Sequence, residues 1–387
     1  MLPVTPHVKF IGVDDDNLDL FEGQYPVPNG ISYNSYLIDD ENIAVVDAVD
    51  IRRCSEWLAL LDSTLDGRHP AYLIVQHMEP DHSGSIRAVL EKYPEMKVVA
   101  TAKAIAMLDN FFDGMGFSER SISVKDGDTL SLGHTTLRFI TAPMVHWPEV
   151  MMTLDETDGV LFSADAFGTF ATSNATEGWD NEARRYYCNI VGKYGSCVQA
   201  VMKKLTGLPF GIIAPLHGPI LKENLAHYWN LYDKWSRYIP ETEGVLVAYA
   251  SIYGGTAEAA RRLADMLRSR GAGDVVLIDL CRHDVSYAVA EAFRLSRLAL
   301  CSVTYDGAMF PAMHNFLHHL AAKNFSGRHV GILENGSWAP TAGKLMCKAL
   351  AEMKDMTVVG STVTIRSRLH DSDIASLSSL ALALAEA

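Results

Sequence analysis

The sequence predicts an α/β protein with two domains, residues 1–243 and residues 244–387. The first observation is the length of 387 residues, since compact domains contain roughly 100–200 residues each. The second is a regular alternation of short apolar runs and amphipathic stretches after Val245, which is typical of a parallel sheet covered by helices. The third is a dense series of short strand-like runs before residue 243, which indicates an α/β sandwich.

The second domain is predicted to contain a doubly wound sheet of five parallel strands. Its strands are continuous runs of Val, Ile and Leu, as expected for strands buried on both faces. The predicted strands are residues 245–250, 275–280, 298–305, 329–336 and 357–365. The predicted helices are residues 256–271, 287–294, 311–323 and 341–353, with a last helix from Asp371.

The first domain is predicted from short runs with strand or helix periodicity. The predicted strands are residues 8–13, 31–38, 42–48, 71–76, 97–100, 121–124, 129–132, 135–142, 149–154 and 159–164. The predicted helices are residues 54–64, 85–93, 104–112 and 182–205.

The charge of the chain is confined to its first part. The net charge is −14, from 33 Lys and Arg against 47 Asp and Glu. Residues 1–245 contain 19 basic and 34 acidic residues, whereas residues 246–387 contain 14 and 13. An acidic surface repels a phosphate backbone, so we do not expect a nucleic-acid partner.

Cysteine spacing and hydropathy exclude several further classes of protein. None of the six cysteines forms a Cys-x-x-Cys pair, which excludes a zinc ribbon, a rubredoxin-type iron site and a thioredoxin motif. The N-terminus has no signal-peptide pattern. No apolar run reaches the roughly 18–20 residues of a membrane span. We therefore expect a cytoplasmic protein without a membrane anchor.

Candidate metal ligands follow several of the predicted strands. Four of them occur within six residues after strand 71–76, and three more follow later apolar runs; they are His77, Glu79, Asp81, His82, His146, Asp165 and His217. A single histidine or aspartate at a strand end is commonly structural, as a hydrogen-bonded side chain or a turn cap. Seven such groups at the ends of buried strands would leave buried charges unpaired unless a cation neutralised them. The joint pattern therefore predicts a metal site.

A second constellation lies in three loops at the carboxyl ends of predicted strands of the second domain. The first loop opens a helix, which leaves backbone N–H groups and the positive helix end free to bind a phosphate. It has neither a P-loop Lys-Ser/Thr pair nor a dinucleotide Gly-x-Gly-x-x-Gly pattern, so a monophosphate fits better. Tyr305 and Trp338 offer flat surfaces for stacking. The candidate residues are Ser251, Ile252, Tyr253, Gly254, Gly255, Thr256, Thr304, Tyr305, Asp306, Gly307, Glu334, Asn335, Gly336, Ser337 and Trp338.

The metal pattern resembles the metallo-β-lactamase fold. The resemblance rests on a strand followed by His-x-Glu-x-Asp-His, a later His, Asp and His after strands, and an early hairpin at residues 33–38. The hydrolases of that fold usually have His where this sequence has Glu79, and mixed His and carboxylate ligands favour iron over zinc. With Glu79 present, the sequence resembles the flavodiiron proteins specifically.

The resemblance implies a ligand assignment for two iron ions. One iron would be bound by His77, Glu79 and His146, and the other by Asp81, His82 and His217. Asp165 would bridge the two irons. In some family members the histidine corresponding to His82 is swung away from the metal.

The three loops of the second domain resemble the phosphate loop and the two isoalloxazine loops of flavodoxin. The implied fold is an N-terminal metallo-β-lactamase-like αββα sandwich followed by a C-terminal flavodoxin-like domain that binds FMN. Neither half alone is as specific as the two together, which cover essentially the whole chain.

The family resemblance implies an oxidoreductase in which FMN passes electrons to the diiron site. There O2 would be reduced to water or NO to N2O, in a head-to-tail homodimer or a dimer of dimers. Because no Cys-x-x-Cys pair is present, we expect no fused rubredoxin and an external donor, either a rubredoxin-like protein or a reduced deazaflavin. Tyr194 is our candidate proton or hydrogen-bond donor, and Phe21 and Tyr25 are candidate pocket walls.

Two other functions remain open at the level of sequence. The first is a binuclear metal-dependent hydrolase of the β-lactamase fold with an attached flavin-binding module, against which Glu79 argues. The second is an electron carrier whose metal site is only structural.

Overall fold

A computed structural model describes residues 2–387 of the chain, apart from the side chains at positions 2 and 118. The chain divides into two compact units. The first unit runs up to Tyr187 and includes Ser196–Tyr232, and the second comprises Cys188–Gly195 and Asp233–Ala387. Among the described residues, no helix is both long enough and apolar enough to cross a bilayer.

Short strands and helices alternate along the first unit. Its strands are β1 (Leu2–Pro3), β2 (Val8–Phe10), β3 (Val13–Asp15), β4 (Leu20–Phe21), β5 (Tyr25–Pro26), β6 (Ile31–Tyr33), β7 (Tyr36–Ile38), β8 (Ala44–Val46), β9 (Tyr72–Val75), β10 (Lys97–Thr101), β11 (Ser121–Val124), β12 (Thr129–Ser131), β13 (Thr136–Thr141), β14 (Met151–Asp155), β15 (Val160–Phe162) and β16 (Ile212–Ala214). Its helices are α1 (Cys54–Leu65), α2 (Pro80–Ser83), α3 (Ile86–Lys92), α4 (Ala102–Phe111), α5 (Phe117–Arg120) and α6 (Trp179–Tyr186), followed by α7 (Gly195–Leu205) and α8 (Leu225–Ser236) near the division between the units.

Two sheets face each other in the first unit. One has the strand order β1-β2-β7-β8-β9-β10-β11 and the other the order β12-β13-β14-β15-β16. Their inner faces share one apolar core, which contains Val46, Ile74 and Val99 from the first sheet and Phe139 and Phe162 from the second. Helices such as α1 and α4 each bury an apolar face. This arrangement confirms the predicted αββα sandwich.

Two segments of the first part differ from their sequence-based assignment. Residues 8–13 do not form one strand, because β2 ends at Phe10 and β3 begins at Val13. Between them lies Gly12, where an added Cβ would lie 2.6 Å from the Tyr33 carbonyl oxygen. As a result β2 pairs with β7, whereas β3 pairs with β6 in a separate ribbon. Residues 182–205 do not form one helix either: a π-helical turn at Tyr187–Val191 and a 3-10 turn at Gly192–Tyr194 interrupt it.

The second unit contains the predicted doubly wound sheet. Its strands are β17 (Thr242–Ala250), β18 (Asp274–Asp279), β19 (Leu295–Tyr305), β20 (Ala308–Met309), β21 (His329–Asn335), β22 (Thr357–Val358) and β23 (Val363–Ile365). Its helices are α9 (Gly255–Ser269), α10 (Val285–Arg294), α11 (Pro311–Ala322), α12 (Ala342–Ala351) and α13 (Ile374–Glu386). The strand order β18-β17-β19-β21-β22 is parallel throughout, which is the flavodoxin-like order.

The fifth strand position is divided between two short strands. The sequence predicts one strand over 357–365, but β22 and β23 each pair separately with β21. Gly360 lies between them with φ of 66°, a conformation incompatible with a continuous strand. An added Cβ at Gly360 would lie 3.2 Å from Ala383 of α13, so glycine allows both the turn and the close approach of that helix.

Candidate metal centre and flavin site

The strand ends of the first unit bring all seven predicted metal ligands together. His77 and Glu79 follow β9, and the short helix α2 carries Asp81 and His82. His146 lies between β13 and β14, Asp165 follows β15 and His217 follows β16. Gly84 ends α2, and an added Cβ there would lie 2.6 Å from the Pro80 carbonyl oxygen. Glycine thus keeps the ligand loop tightly wound.

The first ligand group consists of His77, Glu79, His146 and Asp165. Glu79 Oε2 lies 3.3 Å from His77 Nε2 and 3.0 Å from His146 Nε2. Asp165 Oδ2 lies 3.4 Å and 3.1 Å from the same two nitrogen atoms. We call the point that these atoms surround site 1.

The second ligand group consists of Asp81, His82 and His217. Asp81 Oδ2 lies 3.3 Å from His82 Nε2 and 3.2 Å from His217 Nε2, and the two nitrogen atoms are 3.1 Å apart. The second oxygen of Asp165, Oδ1, faces this group at 3.2 Å from His82 Nε2 and 3.9 Å from His217 Nε2. We call the point that these atoms surround site 2.

The polar atoms of the cluster fit two bound cations. His82 and His217 each direct a nitrogen at the other, and carboxylate oxygens crowd around both groups. Several of these buried atoms have no hydrogen-bond partner in the part of the chain that the structure describes: both carboxylate oxygens of Asp81 and of Asp165, and Nε2 of His146. Buried polar atoms are normally satisfied, and a metal ion at each site would satisfy those that face it. The mixed imidazole and carboxylate donors suit iron.

The protonation of the metal-free cluster follows from this crowding. Burial alone would raise the pKa of Asp165, but the surrounding His77, His146 and His82 hold it well below its usual range. Burial would likewise lower the pKa of His146, yet Asp165 and Glu79 raise it to about 9. The pKa values of His77 and His82 are raised by neighbouring carboxylates in the same way. Without metal, protons on His77, His82 and His146 therefore offset the carboxylate charge.

The outer ring nitrogens of the ligands have different partners. His77 Nδ1 lies 2.9 Å from Oε1 of Glu149, a buried carboxylate that also accepts the Met78 N–H at 2.9 Å. His217 Nδ1 lies 2.7 Å from the backbone carbonyl oxygen of Ser32. His82 Nδ1 is buried and has no partner among the described residues. Sequence reasoning missed Glu149, although an acidic residue within the apolar segment before β14 was a signal for it.

Aromatic side chains surround the cluster. The ring of Phe21 lies 5.3 Å from that of His217, and Tyr25 contacts Phe170 at 5.7 Å between ring centroids. The ring of Tyr186 is 5.5 Å from His217. Its buried hydroxyl has no partner among the described residues, and burial together with Asp165, Asp81 and Glu79 raises its pKa well above the usual value.

Sequence reasoning named Tyr194 and missed Tyr186. Tyr194 lies in the 3-10 turn of the second unit, where the Lys193 ammonium is 5.9 Å from its ring centroid. Tyr186 ends α6 in the first unit and is completely buried beside the ligands. The helical spacing around the Tyr186-Tyr187 pair was visible in the sequence, but it did not show which tyrosine faces the cluster. The role of Tyr194 stays a prediction.

A cavity of about 1090 Å³ opens at the carboxyl ends of β17, β19 and β21 in the second unit. Fourteen of the fifteen predicted cofactor-binding residues line it: Ser251, Ile252, Tyr253, Gly254, Gly255, Thr256, Thr304, Tyr305, Asp306, Gly307, Asn335, Gly336, Ser337 and Trp338. Pockets for cofactor-sized ligands usually have volumes of roughly 300–1,000 Å³. The cavity is therefore large enough for FMN.

The fifteenth residue, Glu334, has a structural position instead. Its carboxylate accepts the backbone N–H of Gly343 at 2.7 Å and the hydroxyl of Thr364 at 2.8 Å. It thereby ties β21 to α12 and β23, beside the cavity rather than on its wall.

Hydrogen bonds hold the phosphate loop in place. Gly254 caps α9 with φ of 93°, and Gly255 leaves no room for a side chain because an added Cβ would lie 2.1 Å from the Ser367 carbonyl oxygen. Asn335 Nδ2 donates to Thr256 Oγ1 at 3.2 Å and to the Ser367 carbonyl at 3.1 Å. The loop that follows β23 adds Ser367 and Arg368 to the cavity wall, and α9 adds Arg261; sequence reasoning missed all three.

Relatives of known sequence share both parts of the chain. A family model described as ODP family beta lactamase matches residues 31–218. The chain is 35% identical over 289 residues to diflavin flavoprotein A 1 of Synechocystis, covering 73% of this chain and 50% of that protein. It is 29% identical over 376 residues to the anaerobic nitric oxide reductase flavorubredoxin of Aliivibrio fischeri, covering 92% of this chain and 74% of the relative. The chain thus spans half to three quarters of the length of these two relatives.

Solved structures match the whole chain. The rubredoxin oxygen:oxidoreductase of Desulfovibrio gigas superposes with a TM-score of 0.93 at 25% identity, covering 100% of this chain and 98% of that one. The flavodiiron protein of Giardia intestinalis has a TM-score of 0.90 at 24% identity, covering 99% and 95%. The predicted resemblance to the flavodiiron proteins is confirmed. The fold class predicted from the sequence is confirmed with it. The name of the Giardia protein specifies the flavin and the two irons that the sequence predicts.

Proposed function

We propose that the protein is a flavodiiron oxidoreductase. Residues 1–243 form the domain that binds two iron ions, and residues 244–387 form the domain that binds FMN. The observation that carries the proposal is the position of Asp165, whose two oxygens face two separate groups of histidines at 3.1 Å and 3.2 Å. A carboxylate shared in this way suits a pair of metal ions rather than one.

The two ligand groups defined by the interatomic distances would each bind one iron. His77, Glu79 and His146 would hold the iron at site 1, and Asp81, His82 and His217 the iron at site 2. Two ferrous ions would supply paired electrons and adjacent binding positions for a diatomic gas. The carboxylates of Glu79, Asp81 and Asp165 would offset most of the charge of the two ferrous ions. The imidazoles would then bind as neutral ligands.

The residues around the cluster would control protons and water. The Tyr186 hydroxyl remains protonated because of its raised pKa and is free to donate a hydrogen bond towards the carboxylate-rich centre. The rings of Phe21 and Tyr186 flank His217 and exclude water from that side. A buried donor in a dry pocket is more effective than the same group in water.

We further propose that O2 or NO is the substrate. Reduction of O2 to two water molecules takes up four electrons and four protons, and coupling of two NO molecules to N2O and water takes up two of each. The name of the Desulfovibrio protein supports O2, and the name of the Aliivibrio protein supports NO. Electrons would reach FMN from a rubredoxin-like protein or a reduced deazaflavin, and the active form would be a head-to-tail homodimer or a dimer of dimers.

Anaerobic reduction of the holoprotein, followed by separate mixing with O2 and with NO, tests the proposal. We expect rapid reoxidation of the flavin by at least one gas, with water or N2O as the product. Glu79→Ala should lose iron and gas reduction while it retains FMN. Tightly bound zinc, with no gas consumption after reconstitution with iron, would contradict the proposal and restore the hydrolase alternative.

A further inference from the structure

The two metal sites have matched sets of direct ligands. Each site receives two imidazoles, one carboxylate of its own and one oxygen of Asp165. The own carboxylate is Glu79 at site 1 and Asp81 at site 2, at similar distances from the imidazole nitrogens. The direct ligands themselves therefore give little reason for the two sites to differ in metal affinity.

The groups behind the imidazoles differ between the sites. At site 1, His77 Nδ1 lies 2.9 Å from the carboxylate of Glu149. At site 2, His217 Nδ1 lies 2.7 Å from a neutral backbone carbonyl, that of Ser32. The other imidazole of site 2, His82, has no partner for Nδ1 among the described residues.

Glu149 is an unusual carboxylate because it is fully buried and has no Lys or Arg partner among the ion pairs of the described residues. Its Oε1 accepts the Met78 N–H and faces His77, whereas its Oε2 has no partner among them. A buried carboxylate charge is costly unless positive charge lies close by. A cation bound through the opposite nitrogen of His77 would supply that charge.

Asp47 is a second buried carboxylate near the ligands, but it does not support a site 2 imidazole in the way that Glu149 supports His77. It accepts the Gln76 N–H at 2.8 Å, the Gln76 side-chain amide at 3.0 Å and the His77 N–H at 3.4 Å. Three donors share its charge. Asp47 acts on His82 only electrostatically, without a hydrogen bond to Nδ1 among the described residues.

We propose that Glu149 is a positioning residue that makes site 1 the tighter of the two metal sites. Its carboxylate fixes the tautomer of His77 with Nε2 towards the metal and increases the donor strength of that imidazole. A carboxylate in this position is worth roughly 10–100-fold in metal affinity. At site 2 no carboxylate is hydrogen-bonded to an outer imidazole nitrogen among the described residues, so site 2 fills second and loses its metal first. The inference rests on the proposed diiron centre and concerns the order in which its ions bind.

The test uses the full-length protein stripped of metal and titrated anaerobically with Fe²⁺, and in parallel with Co²⁺, against a chelator of known affinity. The unmodified chain should bind the two ions in two steps. Glu149→Gln keeps the hydrogen-bonding shape but removes the charge, so the tighter step should weaken by roughly 10–100-fold. The visible spectrum of the first Co²⁺ bound should change, whereas the weaker step should remain where it was. Glu95→Gln, on the exposed surface, is the matched control and should leave both steps unchanged.

The possible results distinguish the role of Glu149 from the existence of the diiron centre. Two equal sites in the unmodified chain, a Glu149→Gln variant with an unchanged tighter step, or equal weakening of both steps would overturn the role of Glu149 while the diiron centre stands. Failure of the unmodified chain to bind two ions would refute the diiron centre itself. FMN content, measured on the same samples, reports whether each variant has folded.

Discussion

The flavin assignment can be tested by truncating Trp338, an exposed tryptophan of the cavity wall. Trp338 is 88% exposed and lies in the loop after β21. Few contacts within the chain depend on its ring, so Trp338→Ala should leave the fold intact. If FMN stacks on this ring, its removal should weaken flavin binding and nothing else.

The expected loss follows from the area of the ring. A tryptophan side chain buries 150–250 Å² when covered on all sides, so one face offers about 100 Å² to a stacked flavin. At about 25 cal/mol per Å² this contact contributes about 2.5 kcal/mol. The Kd for FMN should therefore rise about 60-fold. Trp338→Phe retains a flat ring and should lose much less.

Flavin fluorescence, quenched when FMN binds to the flavin-free protein, measures these constants directly. Leu382→Ala is the control, because Leu382 is also an exposed apolar residue of the second unit but lies on α13 outside the cavity wall. Its Kd should match that of the unmodified chain. An unchanged Kd in Trp338→Ala would refute the stacking, and a loss of equal size in Leu382→Ala would attribute the effect to the fold.

Two further predictions concern the cluster. Metal binding at neutral pH should release protons, because bound imidazoles must be neutral while His77, His82 and His146 have raised pKa values in the metal-free protein. Apparent affinity should rise with pH up to about 9, the pKa of His146, as the metal-free fold loses its ion pairs; a pH indicator in weak buffer that shows no release would contradict this. Tyr186→Phe should keep both cofactors but slow gas reduction by about 100-fold in stopped-flow mixing, and a larger effect of Tyr194→Phe would return the donor role to that residue.

The ligands could be predicted from the sequence because residues of metal-binding type occur directly after recognisable buried strands. His77, Glu79, Asp81 and His82 are adjacent along the chain, and a buried strand end is recognisable from its apolar run. The residues that support the ligands carry no such local mark. Glu149 is 72 positions away from His77, and only the facing of two sheets brings its carboxylate to 2.9 Å.

The departures from the predicted elements have a common physical cause. Residues 8–13, 182–205 and 357–365 have the composition of continuous elements, but each contains a glycine or a turn at which the chain changes direction. At Gly12 and Gly360 the bend accompanies a close approach to a distant segment. Hydrophobic periodicity indicates only the local preference for helix or strand. The interruptions at Gly12 and Gly360 depend on contacts with segments that are distant in sequence.

The exposed rim of the flavin cavity supports the proposed homodimer. Ile252, Tyr253, Tyr305 and Trp338 all line the cavity and all rank among the exposed large hydrophobic residues, with Tyr253 at 99%. A bound flavin has two faces and can cover only part of this set. Concentrated exposed apolar surface normally marks an interaction site, and a second copy of the chain would cover it without requiring another protein. If the partner's metal centre lay beneath the surface that covers this rim, it would provide an electron acceptor close to the flavin.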